Sequence, residues 1–410
     1  MIDVLKIGMI IAGIIVLIRL NVALSVTLIA SALVLGFLFQ LPAGEILDGV
    51  RRAFLSLENL KLVIALELVL LFSAVLKENG AMNRAISALS EVIRDARFTV
   101  AIIPAVVGLL PVVGGAMLSA PLVAEASDAL RLSAERRTFL NFWFRHVWEY
   151  TLPTFPAVFL TAGITGVPIT ELVTAGAPLT LAAIAAGVFF GFRGVRPARP
   201  GGGAGSLPQA GMQLARFVWN LLPFFLVIGL TVGLDIHLVY PLAMVTTGMI
   251  LLNRMPPSNL IRLARHHLSV DLAFLIWGIM IFKEILAATE AMGRIAADLS
   301  GVGIPPLVLV VLLPALIAFI TGYTTAFVGL SFPVLVPFIE PGGLSAYYVM
   351  LGLAGGIGAH MLSPMHACLV MTLQYYEAGM GKTYRLLFMP TTAVFLTGVC
   401  LFAAVRWLAG

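Results

Sequence analysis

The sequence predicts an all-α polytopic membrane protein of two inverted-topology repeats, with about ten transmembrane helices, two re-entrant helical hairpins and two proline-broken helices. Three observations carry the prediction. Of 410 residues, 60% are hydrophobic and 11% charged, and the mean hydropathy is +1.05, which excludes a soluble enzyme. The apolar segments run about 15–25 residues, helix-spanning lengths rather than the roughly 10-residue alternating strands of a barrel. The chain also matches itself. A shift of 210 positions aligns GAMNRAISALS (Gly80 to Ser90) with EAMGRIAADLS (Glu290 to Ser300) and Pro104 with Pro314, and a shift of 211 aligns Pro153 with Pro364.

The first repeat, 1–192, opens with a short span over Val4 to Ile18. It is not read as a signal peptide, because no small-residue cleavage site followed by a soluble domain appears. A second span follows, then the connector PAGEILDGVRRAFLSLENLK, predicted to be an interfacial amphipathic helix, then a third span containing Glu67. Next come an interrupted segment at 98–130, a broken helix at 138–166 and a final span. Residues 193–214 include RGVRPARPGGGAGSLPQAG and read as a flexible cytoplasmic linker. The second repeat, 215–410, has three spans with the connector PPSNLIRLARHH, a hairpin at 305–339, a broken helix at 346–378 and a final span. Glu67 and Lys283, six residues into corresponding spans, are expected to form a structural ion pair in the scaffold. Cys368 and Cys400 lack CxxC or metal spacing and are read as packed thiols; no metal ligand set is expected.

The net charge of +5 comes from basic residues in short loops, which act as orientation signals and imply no nucleic-acid partner. Five crossings per half place Lys6, Arg51, Arg52, Lys61, Lys283, Arg294 and Arg406 on one side and the remainder of the 25 Lys and Arg on the other. Both termini are therefore expected outside the cytoplasm, in the inner (plasma) membrane. Charge fixes orientation but does not decide between hairpins and paired spans. The hairpin reading rests on the tips, GLLPVVGGAMLSAP (Gly108 to Pro121) and FITGYTTAFVGLSFP (Phe319 to Pro333). Non-helical backbone at membrane depth persists only where protein or a water-filled cavity satisfies it. The alternative is a loop between helices that use small residues for close approach.

Broken helices expose N–H and C=O groups that can hold an anion or a cation at the centre of a carrier. Pro153 frees backbone around Tyr150, Thr151 and Leu152, and His146 and Glu149 sit at i and i+3 just before it. In the other half His360 takes the register of Glu149, followed by Ser363, Pro364 and His366. Candidate ion-coupling residues are Glu149, Tyr150, Thr151, His146 and His360. Candidate substrate-binding residues are Gly114, Gly115, Ser119, Tyr323, Thr324, Thr325, Ser363 and His366.

With VVGGAMLSAP at the first hairpin tip, the chain resembles the ion-transporter superfamily of elevator-type carriers, in a branch known only as a domain of unknown function. The resemblance covers the whole chain in architecture. It implies a homodimer with scaffold domains at the interface and a mobile domain carrying both hairpins and both broken helices. The tips hold Gly114 to Ser119 and Thr321 to Thr325 where the sodium-dicarboxylate members have Ser-Asn-Thr.

The expected function is secondary active transport of a small, anionic, carboxylate-like solute, coupled to H⁺ or Na⁺, with no cofactor and no enzymatic activity. A Na⁺/H⁺-type cation antiporter is the alternative. A membrane-embedded metal-dependent hydrolase is more remote, since neither HExxH nor a nucleophile beside a base is present.

Overall fold

The computed structural model describes residues 2–93, 95–111, 115–198, 207–301, 303, 305–339 and 344–409. Every regular element among them is helical, as backbone in lipid requires. The first half runs α1 (Ile2–Arg19), α2 (Leu24–Leu38), α3 (Ala43–Leu55), α4 (Leu57–Glu78), α5 (Ala81–Val92), α6 (Ala96–Val107), α7 (Gly115–Asp128), α8 (Ala134–His146), α9 (Pro156–Thr165) and α10 (Ile169–Phe192). The second runs α11 (Leu207–Ile228), α12 (Val239–Leu252), α13 (Pro257–His267), α14 (Val270–Ala288), α15 (Ala291–Gly301), α16 (Pro306–Thr321), α17 (Thr324–Leu335), α18 (Ser345–Met361), α19 (Ala367–Tyr375) and α20 (Met380–Ala409). Each element of one half thus has a counterpart in the other. Among the described residues, four helices, Leu57–Glu78, Ile169–Phe192, Ala210–Gly233 and Met380–Ala409, are long and apolar enough to cross a membrane. The other apolar helices are shorter, and α8–α9 and α18–α19 each place two short helices in succession where one broken helix is expected.

Contacts between the halves are exchanged, as a two-fold relation demands. Helix α2 packs on α14 and α12 on α4; α11 packs on α5 and α1 on α15; α9 packs on α17 and α19 on α7; α8 packs on α20 and α18 on α10. The contacts also sort the chain into two bundles. Helices α1–α5 and α11–α15 pack chiefly on one another, as do α6–α10 and α16–α20, and the bundles meet where α4 touches α9 and α14 touches α17.

The self-matching motif has a local cause. Asn79 Oδ1 accepts from the Ala81 amide at 2.9 Å and Thr289 Oγ1 from the Ala291 amide at 3.2 Å. The residue between is left-handed in both halves, Gly80 at φ 69° and Glu290 at φ 51°. Arg84 then reaches back to donate to Asn79 O at 2.7 Å, as Arg294 does to Thr289 O at 3.2 Å. The paired arginines satisfy carbonyls at the helix ends that precede them. Helices α3 and α13 present their apolar sides to α14 and α4, as the amphipathic connectors predict.

The expected Glu67–Lys283 ion pair does not form. Glu67 Oε2 accepts from the Ser269 amide at 3.1 Å, at the start of α14, while Lys283 Nζ donates to Gly163 O at 3.5 Å, at the end of α9. Ser269 and Lys283 stand about 20 Å apart along one helix. Similar depth in sequence did not bring the two charges to one level, because Glu67 meets the far end of the helix that carries Lys283.

Candidate functional site

Helix α8 ends at His146, and α9 begins at Pro156. Pro153 cannot donate to a helical carbonyl and would clash with that of Glu149, whereas Pro156 at the first helical position sacrifices no bond. Pro364 interrupts α18 and α19 in the same way, over a shorter break. Trp148 Nε1 ties the first break to Ala105 O of α6 at 2.8 Å.

Each hairpin rests on the broken helix of its own half through a glycine. A Cβ on Gly108, which caps α6, would lie 2.3 Å from Arg145 O. A Cβ on Gly322, which caps α16 at φ 69°, would lie 2.5 Å from the Met365 carbonyl carbon. A residue with a side chain could not make either approach without displacing the backbone it touches.

Beside these contacts lies a cavity of about 170 Å³ lined by Pro111, Arg145, His146, Glu149, Phe155, Pro156, Gly322, Tyr323, Thr324, Thr325, His360, His366, Ala367 and Cys368. Helices α9, α17 and α19 all begin at its wall, and none has its first turn capped by a side chain. The positive ends of their first turns face a cavity that Arg145 also lines, its guanidinium lying against Gly115 of α7.

Three histidines form one face. The rings of His360 and His366 stack at 3.8 Å, and His146 meets His366 edge-on at 4.9 Å. His146 Nδ1 lies 2.6 Å from Phe142 O and His366 Nδ1 3.1 Å from His360 O. A ring nitrogen beside a carbonyl must carry the proton, so both residues leave Nε2 as an acceptor. His360 Nε2 is 3.3 Å from Thr324 Oγ1. Glu149 is buried, with Oε1 3.9 Å from His146 Nε2 and no hydrogen bond at Oε2.

Of the residues singled out from sequence, His146, Glu149, Tyr323, Thr324, Thr325, His360 and His366 line the cavity. Others do not. Ser119 donates to Asn141 Oδ1 at 2.6 Å, binding α7 to α8. Thr151 donates to Val173 O at 2.9 Å, and Tyr150 O faces Gly176, so both belong to the contact with α10. Ser363 donates to Phe319 O at 2.7 Å and braces the second hairpin. Gly115 lies against the Arg145 guanidinium, 2.6 Å from where its Cβ would be, outside the cavity wall. Gly114 lies outside the described residues.

The sequence reading omitted Arg145 and Cys368 from the site. Arg145 stands four residues before Glu149, the spacing of one helix face in sequence, and Cys368 stands two after His366; both spacings are visible in HVWEYTLPTFP with its preceding Arg and in SPMHAC. Cys368 is buried in the core, as expected of a packed thiol, whereas Cys400 is exposed and departs from that expectation. One ligand atom from each of His146, His366 and Cys368 lies within 4.8 Å of the other two.

Comparison with curated proteins finds no match. Among solved structures, the YdaH transporter of Alcanivorax borkumensis is similar at 15% identity, covering 96% of this chain and 98% of that one with a TM-score of 0.46. The model of the family described as "Protein of unknown function (DUF401)" matches residues 3–405, and the chain belongs to that family.

Proposed function

We propose that the protein is a secondary active transporter for a small anionic solute, carboxylate-like in chemistry. The observation that carries this reading is the convergence of three uncapped helix N-termini and Arg145 on one cavity. Amides at helix starts bind anions because their donors are unpaired and their dipoles align, and a guanidinium adds a planar fork matched to a carboxylate. The cavity volume of about 170 Å³ is well below the ~300–1,000 Å³ of drug-sized sites and favours a solute of few heavy atoms. Buried Glu149, with one oxygen unbonded, is the coupling carboxylate in this reading, and H⁺ or Na⁺ the coupling ion. The two bundles supply the parts of an elevator: α1–α5 with α11–α15 as a scaffold that would dimerise, and α6–α10 with α16–α20 as the moving body. Inverted insertion, with both termini on the non-cytoplasmic face, follows the basic-residue bias.

Proteoliposome uptake of a panel of small carboxylates, under imposed H⁺ or Na⁺ gradients, tests the reading. Gradient-driven accumulation that Arg145→Gln abolishes is expected. Uptake indifferent to both gradients overturns active transport, and cation-driven proton movement without any solute would assign the site to antiport.

A further inference from the structure

We propose that His146, His366 and Cys368 form a binding site for a zinc-class transition-metal ion. Zinc holds nitrogen ligands at ~2.0–2.1 Å and sulfur at ~2.3 Å, so the donors of a tetrahedral site stand about 3.3–3.7 Å apart. The three donors here already lie within 4.8 Å of one another, and closing by about 1 Å is within reach of side-chain rotation.

The surroundings are those a metal site requires. Both histidines donate Nδ1–H to backbone carbonyls, Phe142 O and His360 O. Such outer bonds fix the tautomer, orient Nε2 and raise its basicity as a ligand. His360 stacks on His366 at 3.8 Å and holds that ring's plane. Two imidazoles and one thiol make a borderline-to-soft set, which suits Zn²⁺ and disfavours Mg²⁺ and Ca²⁺.

Glu149 is the second, independent observation. Its Oε1 lies 3.9 Å from His146 Nε2 and its buried Oε2 makes no hydrogen bond. Burying an unbonded carboxylate oxygen is costly, and a cation at the His146 nitrogen offsets that cost by taking the carboxylate on the fourth position. Binding converts Zn²⁺ and the Cys368 thiol into a Zn–thiolate bond and one released proton, with no change of oxidation state. This site shares Glu149 and the cavity wall with the transport reading, but metal titration and solute uptake are separate measurements, so failure to bind metal does not decide whether solute is carried.

The test is titration of the full-length protein, chelator-stripped in detergent, with Zn²⁺ and with Co²⁺ as optical probe. One equivalent is expected, with a thiolate-to-cobalt charge-transfer band. Cys368→Ser should remove the band and weaken Zn²⁺ binding by at least ~10-fold, whereas Cys400→Ser, at the exposed second cysteine, should change neither. X-ray absorption of the zinc-loaded wild type should read one sulfur and three nitrogen or oxygen donors, which keeps the test valid if Cys368→Ser fails to fold. No stoichiometric binding by folded wild type, a band surviving in Cys368→Ser, or a shell without sulfur overturns the proposal.

Discussion

The break between α8 and α9 presents Arg145 and Glu149 to the cavity, whereas its counterpart between α18 and α19 presents His360, His366 and Cys368. Both breaks share the backbone devices: a proline, a glycine cap of the adjoining hairpin, and an uncapped helix start. Both breaks present imidazoles, His146 at the first and His360 and His366 at the second, but the formal charges of Arg145 and Glu149 are not shared. A two-fold relation that duplicated Arg145 or Glu149 would face like charges across a small buried cavity, where repulsion is weakly screened. The scaffold can therefore be doubled while formal charge is confined to one half.

The largest expected effects break that asymmetry. In proteoliposome uptake, Arg145→Gln and Glu149→Gln should each reduce transport by on the order of 100-fold, since either leaves a buried partner charge or anion uncompensated. His360→Gln, which keeps a polar group near Thr324, should cost less than either. Equal losses in all three would mean that both breaks contribute alike, against the division drawn here.

The glycines test what the halves share. Gly322→Ala meets both a φ of 69° and the Met365 backbone, and should cost about 3 kcal/mol. Gly108→Ala meets the Arg145 backbone at an ordinary φ of −65°, and should cost about 2 kcal/mol. Thermal unfolding in detergent measures both. A neutral Gly108→Ala would show that the first hairpin does not rest on its break as the second does.

The backbone of this comparison was legible in the sequence because its devices are local. Pro153 and Pro364, the glycine-rich tips and the AMxR repeat act within a few residues of themselves, and the helices end where those residues stand. The cavity was only partly legible. His146, Glu149, His360 and His366 announce themselves as polar residues in apolar runs, but Ser119, Thr151 and Ser363 do so equally; Thr151 and Ser363 are spent on carbonyls of neighbouring helices and Ser119 on the Asn141 side chain of α8. Which hydroxyl faces a cavity depends on the packed neighbour, and Cys368 is apolar enough to pass for packing. Glu67 and Lys283 failed for the same reason, since depth within a span does not say which end of the partner helix lies opposite.

A smaller effect concerns the arginines of the repeated motif. Arg84→Met and Arg294→Met should each lower stability by about 1 kcal/mol, the net value of the lost carbonyl bond. Arg294 also pairs with Asp3 at 2.6 Å, with its side chain largely exposed, a contact worth little. Similar losses in thermal unfolding support the shared cap; a loss confined to Arg294→Met would make the Asp3 pair the stabilising element instead.

The smallest expected effect separates the starts of the two hairpins. Asp95 caps α6, accepting from the Arg97 amide at 3.0 Å and pairing with its Nη2 at 2.7 Å, while Pro305 before α16 offers no side-chain cap. The Arg97 hydrogen bond holds the Asp95 carboxyl below the usual aspartate range. A carboxyl depressed by folding contributes stability that is complete above its unfolded value of ~3.9 and is lost as pH falls through the lower folded value. The first turn of α6 should therefore lose hydrogen-exchange protection as pH falls below about 4, by a few tenths of a kcal/mol, and the first turn of α16 should not. Asp95→Asn keeps a capping side chain and removes the charge pair, so α6 should then behave as α16 does. If the pH response of α6 persists in Asp95→Asn, the asymmetry at the hairpin starts lies in some group other than this cap.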